Sequence, residues 1–231
     1  MQTVTVTMAS RPLLKVGRYH LAALGRSQET QGLAAAFKPA QDALAAARVA
    51  REQAEDALSE PRTLARFAES ALEVVLRDIA SKAHDVDRKA GGDLVFKVLF
   101  PHGLDAEVRP RGAGQVTAAI ALRGRLDLQP AAAAVKAVFL KDLDMSLAAL
   151  GAALESRRMA EQALGLARAA EDGARETFVA SYDSNAGAIR QMFPRNRVRQ
   201  DLYFDTIRAE QSASEDSQEP EPTGPSEPKK P

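Results

Sequence analysis

The residues of this chain whose types and spacing could do chemistry are a few histidine–acid pairs, some glycine clusters and two groups of arginines. His84-Asp85-Val86-Asp87 and His102-Gly103-Leu104-Asp105 each place a carboxylate three residues after an imidazole. On a helix that spacing puts both groups on one face. One imidazole and one carboxylate make only part of a metal site, because the ion needs three or four converging donors. No glutamate stands three residues ahead of any of the three histidines, so the Glu-x-x-His pattern of a di-iron bundle is missing. Both pairs read as solvated surface, and no metal or cofactor is expected.

Gly112-Ala113-Gly114 could open a dinucleotide fingerprint, but Thr117 stands where the third small residue belongs and no clear strand precedes it. A turn before a helix is the plainer reading. The sequence has no Gly-x-x-x-x-Gly-Lys-Ser/Thr loop, and Gly25-Arg26-Ser27 does not continue into a Gly-x-Ser-x-Gly elbow. With no cysteine and three scattered histidines, pairs of nucleophile and base are scarce. No catalytic residue is assigned, and an enzyme built from carboxylates and arginines ranks last of three readings.

The arginines are the better candidates. Arg109 and Arg111 flank Pro110 in a loop, while Arg190, Arg195, Arg197 and Arg199 surround Phe193-Pro194, with Tyr203 and Phe204 close behind. Guanidinium forks hold phosphate or carboxylate groups, and aromatic rings stack on bases. The blander role is to solvate a turn or to meet helix C-terminal carbonyls and neighbouring acids. From Ala209 onward six acids face only Lys229 and Lys230, so the tail is at −4 and the rest of this neutral chain at +4. That is too mild a charge for a nucleic-acid footprint. The acidic tail could instead fold onto the arginines and mask them.

The elements that must position these residues are helical. Hydrophobic residues make up 45% of the 231, yet aromatics only 5%, and tryptophan is absent. Much of the apolar content is alanine, which suits closely approaching helices better than a sheet sandwich. Leu33, Phe37, Ala40, Leu44, Ala47, Ala54 and Leu58 recur in helical steps, and Leu64, Phe67, Ala71, Val75, Ile79, Ala83 and Val86 repeat the pattern after Ser59-Glu60-Pro61. These two segments predict an antiparallel hairpin, the first helix starting near Lys38 or kinking at Pro39. Ahead of them, Thr3 to Thr7 alternates like a strand and predicts an extended arm or lone edge strand. Leu13 to Arg26 predicts a short helix ending near Gly25.

After the Gly91-Gly92 breaker, residues 94 to 100 fit a short helix or a strand equally well, and Pro101 ends the element at Phe100. A loop rich in Gly, Pro and Arg follows, then a helix over Gln115 to Leu126. From Ala131 to about Asp183 the chain is helix-compatible throughout, with a turn or kink expected near Gly165. Phe193-Pro194 stops it, and Val198 to Ile207 predicts a short apolar clamp. Beyond Arg208 the Ser-, Glu-, Gln- and Pro-rich composition predicts disorder. Asp87 to Gly91 before Phe100-Pro101 echoes Asp183 to Gly187 before Phe193-Pro194, and REQAEDAL from Arg51 echoes RRMAEQAL from Arg157. A duplicated helical hairpin would explain both echoes, and chance would too.

The expectation is therefore an all-α long-helix bundle of about four main helices, with short connecting helices. Residues 1–32 form an arm and short helix, 33–208 the bundle, and 209–231 an acidic tail. Without cysteine, a signal-like N-terminus or a long apolar run, the expected setting is the cytoplasm, with no membrane span. The leading functional reading is a non-enzymatic scaffold or adaptor, of coiled-coil character, that binds an unknown protein partner or forms a homo-oligomer. The alternative is weak nucleic-acid or polyanion binding through the arginines at 190–199.

Overall fold

A computed structural model describes residues 4–205, and every regular element among them is helical. The elements are α1 (Ser10–Leu24), α2 (Gln31–Ala57), α3 (Ser59–Ala90), α4 (Leu94–Leu99), α5 (Leu104–Val108), α6 (Ala113–Leu128), α7 (Ala133–Met192) and α8 (Arg197–Asp201), with a 3-10 turn at Pro130–Ala132. This is the all-α bundle of long helices and short connectors. The acidic tail from Ala209 lies outside the described residues.

The spine is α7. Its 60 residues run without a break, a length of about 90 Å at 1.5 Å per residue. The turn expected near Gly165 does not occur. Glycine costs a helix up to about 1 kcal/mol relative to alanine, but Gly151, Gly165 and Gly173 sit among strong helix formers and no proline interrupts them. Helices braced along its whole length supply the rest.

Those braces are α2 and α3, and they do not form the expected hairpin with each other. A single residue, Leu58, separates them, and it has helical torsions (φ −74°, ψ −18°). One residue in that conformation cannot reverse a chain. Pro61 removes one backbone donor, which interrupts the hydrogen-bond ladder without turning it. The two helices therefore continue in one direction, and the antiparallel partner of both is α7. Phe37 meets Phe178 and Tyr182, Arg51 pairs with Glu171 at 2.6 Å, and Leu72 and Leu76 share a core with Leu143 and Leu150. Pro39 neither starts nor stops α2, which begins at Gln31. The carbonyl it leaves unpaired belongs to Ala35, on the exposed side where water can serve it.

Burial is concentrated at the two ends. One core gathers Leu72, Leu76, Ile79 and Ala83 of α3 with Leu99, Val108, Leu122, Leu126, Leu143 and Leu150. The other gathers Leu13, Leu24, Phe37 and Leu44 with Phe178, Tyr182, Ile189, Phe193, Tyr203 and Phe204. Between them α7 runs beside α2 and α3 as a narrow waist, where burial is confined to Leu58, Ala65, Leu164 and Glu171 among the described residues.

The helix ends follow local chemistry. Gly91 takes a left-handed φ of +72°, letting the Gly92 N–H reach the Asp87 carbonyl at 3.0 Å and close α3. The Asp87 carboxylate then accepts from Val95 and Phe96 N–H, both at 2.8 Å, so residues 94–99 become a helix. The N-terminal stretch is neither strand nor extended arm. Val4 is buried in the second core, and the chain turns where the Met8 N–H meets the Thr5 carbonyl at 3.1 Å. No strand exists among the described residues to pair with it, so apolar burial of Val4 decides its place.

The element order repeats. A helix of 15 residues (α1) precedes the α2–Leu58–α3 run, and one of 16 residues (α6) precedes α7. α4, the short helix that follows the first run, and α7 itself each end at a buried phenylalanine before proline. Phe100 (φ −124°, ψ 66°) and Phe193 (φ −125°, ψ 61°) have nearly the same backbone, and a five-residue helix follows each turn: α5 after Phe100, α8 after Phe193. Burial repeats with it. Gly17, His20 and Leu24 of α1 correspond in order to Ala119, Leu122 and Leu126 of α6. Ala65, Leu72, Ile79 and Ala83 of α3 correspond to Leu164, Glu171, Phe178 and Tyr182 of α7, all of them buried.

Candidate functional site

The C-terminal arginine cluster sits on the second core, and its aromatic members face inward. Tyr203 and Phe204 are buried, Tyr203 stacked on Phe193 and Phe204 stacked on His20. Their ring faces are occupied and are not a platform for bases. Arg199 lies 3.9 Å above the Phe193 ring and pairs with Glu29 at 2.9 Å, so it fastens α8 to the loop before α2. Arg190, Arg195 and Arg197 are exposed around the same turn, and Arg195 holds a positive φ of 66°. The structure brings the cluster together as a clasp over residues 193–204.

Under the clasp lies His20, which no sequence signal singled out. Its Nδ1–H donates to the Tyr203 carbonyl at 2.8 Å, and its Nε2 accepts from the Asn185 amide at 3.1 Å. Phe37, Tyr182 and Phe204 surround the ring. Both nitrogens are engaged and the ring is fully enclosed, so His20 joins α1, α7 and the C-terminal segment and is not placed to act as a base. Burial holds its pKa below the ordinary value of 6.5, against the opposing effect of the Tyr203 hydrogen bond.

The other candidates fall apart spatially. Arg109 pairs with Asp105 at 3.0 Å, and Arg111 with Glu73 at 3.2 Å. Hydrogen bonds from Arg77 and Arg111 hold the Glu73 carboxyl below its usual range. His84 stacks on Phe96 with centroids 3.9 Å apart, while Asp87 is committed to capping α4. His102 lies exposed on the loop before α5. Among the described residues no three His, Cys, Asp or Glu side chains converge on one point, and no helix is long and apolar enough to cross a membrane.

Two features remain that reading along the chain did not isolate. The first is a cleft of about 440 Å³ where the start of α1 meets α2 and α7, walled by Arg11, Arg48, Arg51, Arg168 and Arg175. Glu171 is buried in its floor, accepting from the Ser10 hydroxyl and pairing with Arg51. The five arginines are scattered over three helices, so no spacing in the sequence announces them.

The second is the outward face of α7. Met145, Ala149, Ala152, Ser156, Met159, Ala163, Leu166 and Ala170 recur in alternating steps of four and three, all exposed and none charged. Met145, Met159 and Leu166 are 59%, 60% and 67% exposed, well beyond what a helix packed on both sides would leave. This row could have been found by spacing; the inward leucines of the same helix drew attention away from it. No protein-family model, curated protein or solved structure matches this chain.

Proposed function

We propose that this chain is a non-enzymatic helical scaffold that pairs with a second copy of itself along the outward face of α7. The observation that carries the reading is the uncharged four–three row from Met145 to Ala170. Alternating steps of four and three are the spacing by which two helices form a coiled coil. An antiparallel second copy fits the row with large residues against small ones. Met145 faces Ala170, Leu166 faces Ala149, and Met159 faces Ser156, with Ala152 against Ala163 at the next layer. Each large side chain so covered contributes up to about 1.5–3 kcal/mol if fully buried.

The area sets the strength. A strip about 38 Å long and one helix wide is on the order of 400–450 Å² per copy. Doubled, it falls below the roughly 1,200–2,000 Å² of a standard interface, in the range of weak contacts. A reversible, concentration-dependent dimer is the result.

Sedimentation velocity on the full chain tests it. The expected outcome is a reversible shift from the 24.8 kDa monomer to twice that mass as concentration rises into the tens of micromolar. Met159→Glu and Leu166→Glu, both exposed and harmless to the fold, should abolish the shift while leaving helical content unchanged. A monomer at every concentration, or dimers indifferent to both charges, would sink the proposal.

A further inference from the structure

The arginine cleft at the start of α1 is unlike its counterpart in the other half of the molecule. At the start of α6, the Glu69 carboxylate accepts from the Gly112 N–H at 2.8 Å, so the chain supplies its own anion to that helix start. The residue of α7 that stands where Glu69 stands in α3 is Arg168, in the same register that matches Ala65 with Leu164 and Leu72 with Glu171. One repeat therefore fills this place with a carboxylate. The other sets Arg168 there, above the buried Glu171 that accepts from Ser10, and leaves a cleft of about 440 Å³ lined by five guanidinium groups.

The charges there do not cancel. Three carboxylates line the cleft, and each is already engaged: Glu171 with Arg51, Glu52 with Arg48 at 2.8 Å, and Asp172 with Arg175. Arg11 has no hydrogen-bond or ion-pair partner among the described residues, and Arg168 reaches a carboxylate, Glu55, only at 3.6 Å. Arg175 is committed elsewhere, to Asp172 and to the Val6 and Met8 carbonyls, both at 3.5 Å. The first turn of α1 has neither an acidic residue nor a side-chain cap, which adds to the positive potential.

We infer that this cleft binds a small phosphate-bearing anion of about the size of a pyrophosphate group, held by Arg11 and Arg168. Forked guanidinium groups match the oxygens of a phosphate two at a time. Its negative charge offsets the two arginines that no lining carboxylate engages. The site is separate from the outward row of α7, so it stands or falls independently of dimerisation.

Calorimetric titration of the full chain with inorganic pyrophosphate tests the assignment. Saturable one-to-one binding is expected, weakening as salt is raised. Arg11→Ala and Arg168→Glu should each lower affinity at least tenfold, the second by returning the carboxylate that the other repeat has. Arg109→Ala, in a loop at the opposite end, should leave affinity within twofold. Thermal melts of each variant establish that the fold is intact, and Arg11 is exposed enough for its replacement to be structurally mild. Absence of saturable binding would overturn the assignment. So would equal losses in Arg11→Ala and Arg109→Ala, which mark diffuse charge attraction and not a site.

Discussion

His20 and Gly17 show how much of this fold turns on single side chains of α1. The two hydrogen bonds of His20 require the neutral ring: Nδ1–H to a carbonyl, and Nε2 receiving an amide proton. A proton added at Nε2 would face the Asn185 amide donor and remove that bond. Because the folded pKa lies below 6.5, the unfolded chain takes up a proton first as pH falls. The contribution of His20 is therefore complete above about pH 6.5 and is lost as pH drops from there towards the folded value. The slope is at most about 1.4 kcal/mol per pH unit. Urea unfolding between pH 7.5 and 5 should show it, and His20→Gln, which keeps a donor and an acceptor, should flatten it. An unchanged slope in that variant would assign the effect elsewhere. Gly17 is constrained by space alone. A β-carbon there would lie 1.9 Å from the Gln41 side-chain oxygen and 2.7 Å from the Phe178 ring. Gly17→Ala should therefore cost about 1–3 kcal/mol, as overpacking does, despite alanine's better helix propensity.

At the scale of elements, α7 makes the opposite prediction. Nothing lies within 4 Å of a β-carbon built at Gly151, Gly165 or Gly173. Gly165→Ala should then stabilise the protein by about 0.5–1 kcal/mol, because only the backbone entropy term changes. A loss of stability, measured by thermal melting, would mean that the helix does bend there. Much of the element plan was legible beforehand. The ends at Gly91, Phe100 and Phe193 follow from glycine and proline chemistry, and the apolar periods of α2 and α3 are plain. What misled was treating glycine and proline as equally strong breakers. Pro61 and Gly165 both read as places to turn, but neither turns the chain. A missing N–H or a missing side chain weakens a helix by an amount that packing against a neighbour recovers.

Taken as a whole, the molecule is two small cores joined by a slender pair of helices. The waist buries few side chains, so its backbone hydrogen bonds rest on local helix stability and surface ion pairs worth little each. Hydrogen exchange should therefore be fastest at the middle of α7, around Arg157 to Gly165, and slowest at Ile79 to Ala83 and Phe178 to Tyr182. Uniform protection along α7 would contradict two separate cores. If the chain dimerises along α7, protection of the middle should rise with concentration.

Composition and periodicity alone were enough for an all-α chain with long, alanine-rich helices, because burial needs only a face of suitable width at helical spacing. The two Phe-Pro pairs mark turns of like backbone, but the echo between Arg51 and Arg157 falls out of the register that matches α3 with α7. The choice of partners belonged to the tertiary structure. Whether α2 folds back on α3 or runs on beside α7 depends on the torsions of Leu58 and on which apolar faces meet across about a hundred residues. No local pattern encodes that. The arginine cleft has the same origin, its walls coming from three helices that only folding brings within reach of one anion.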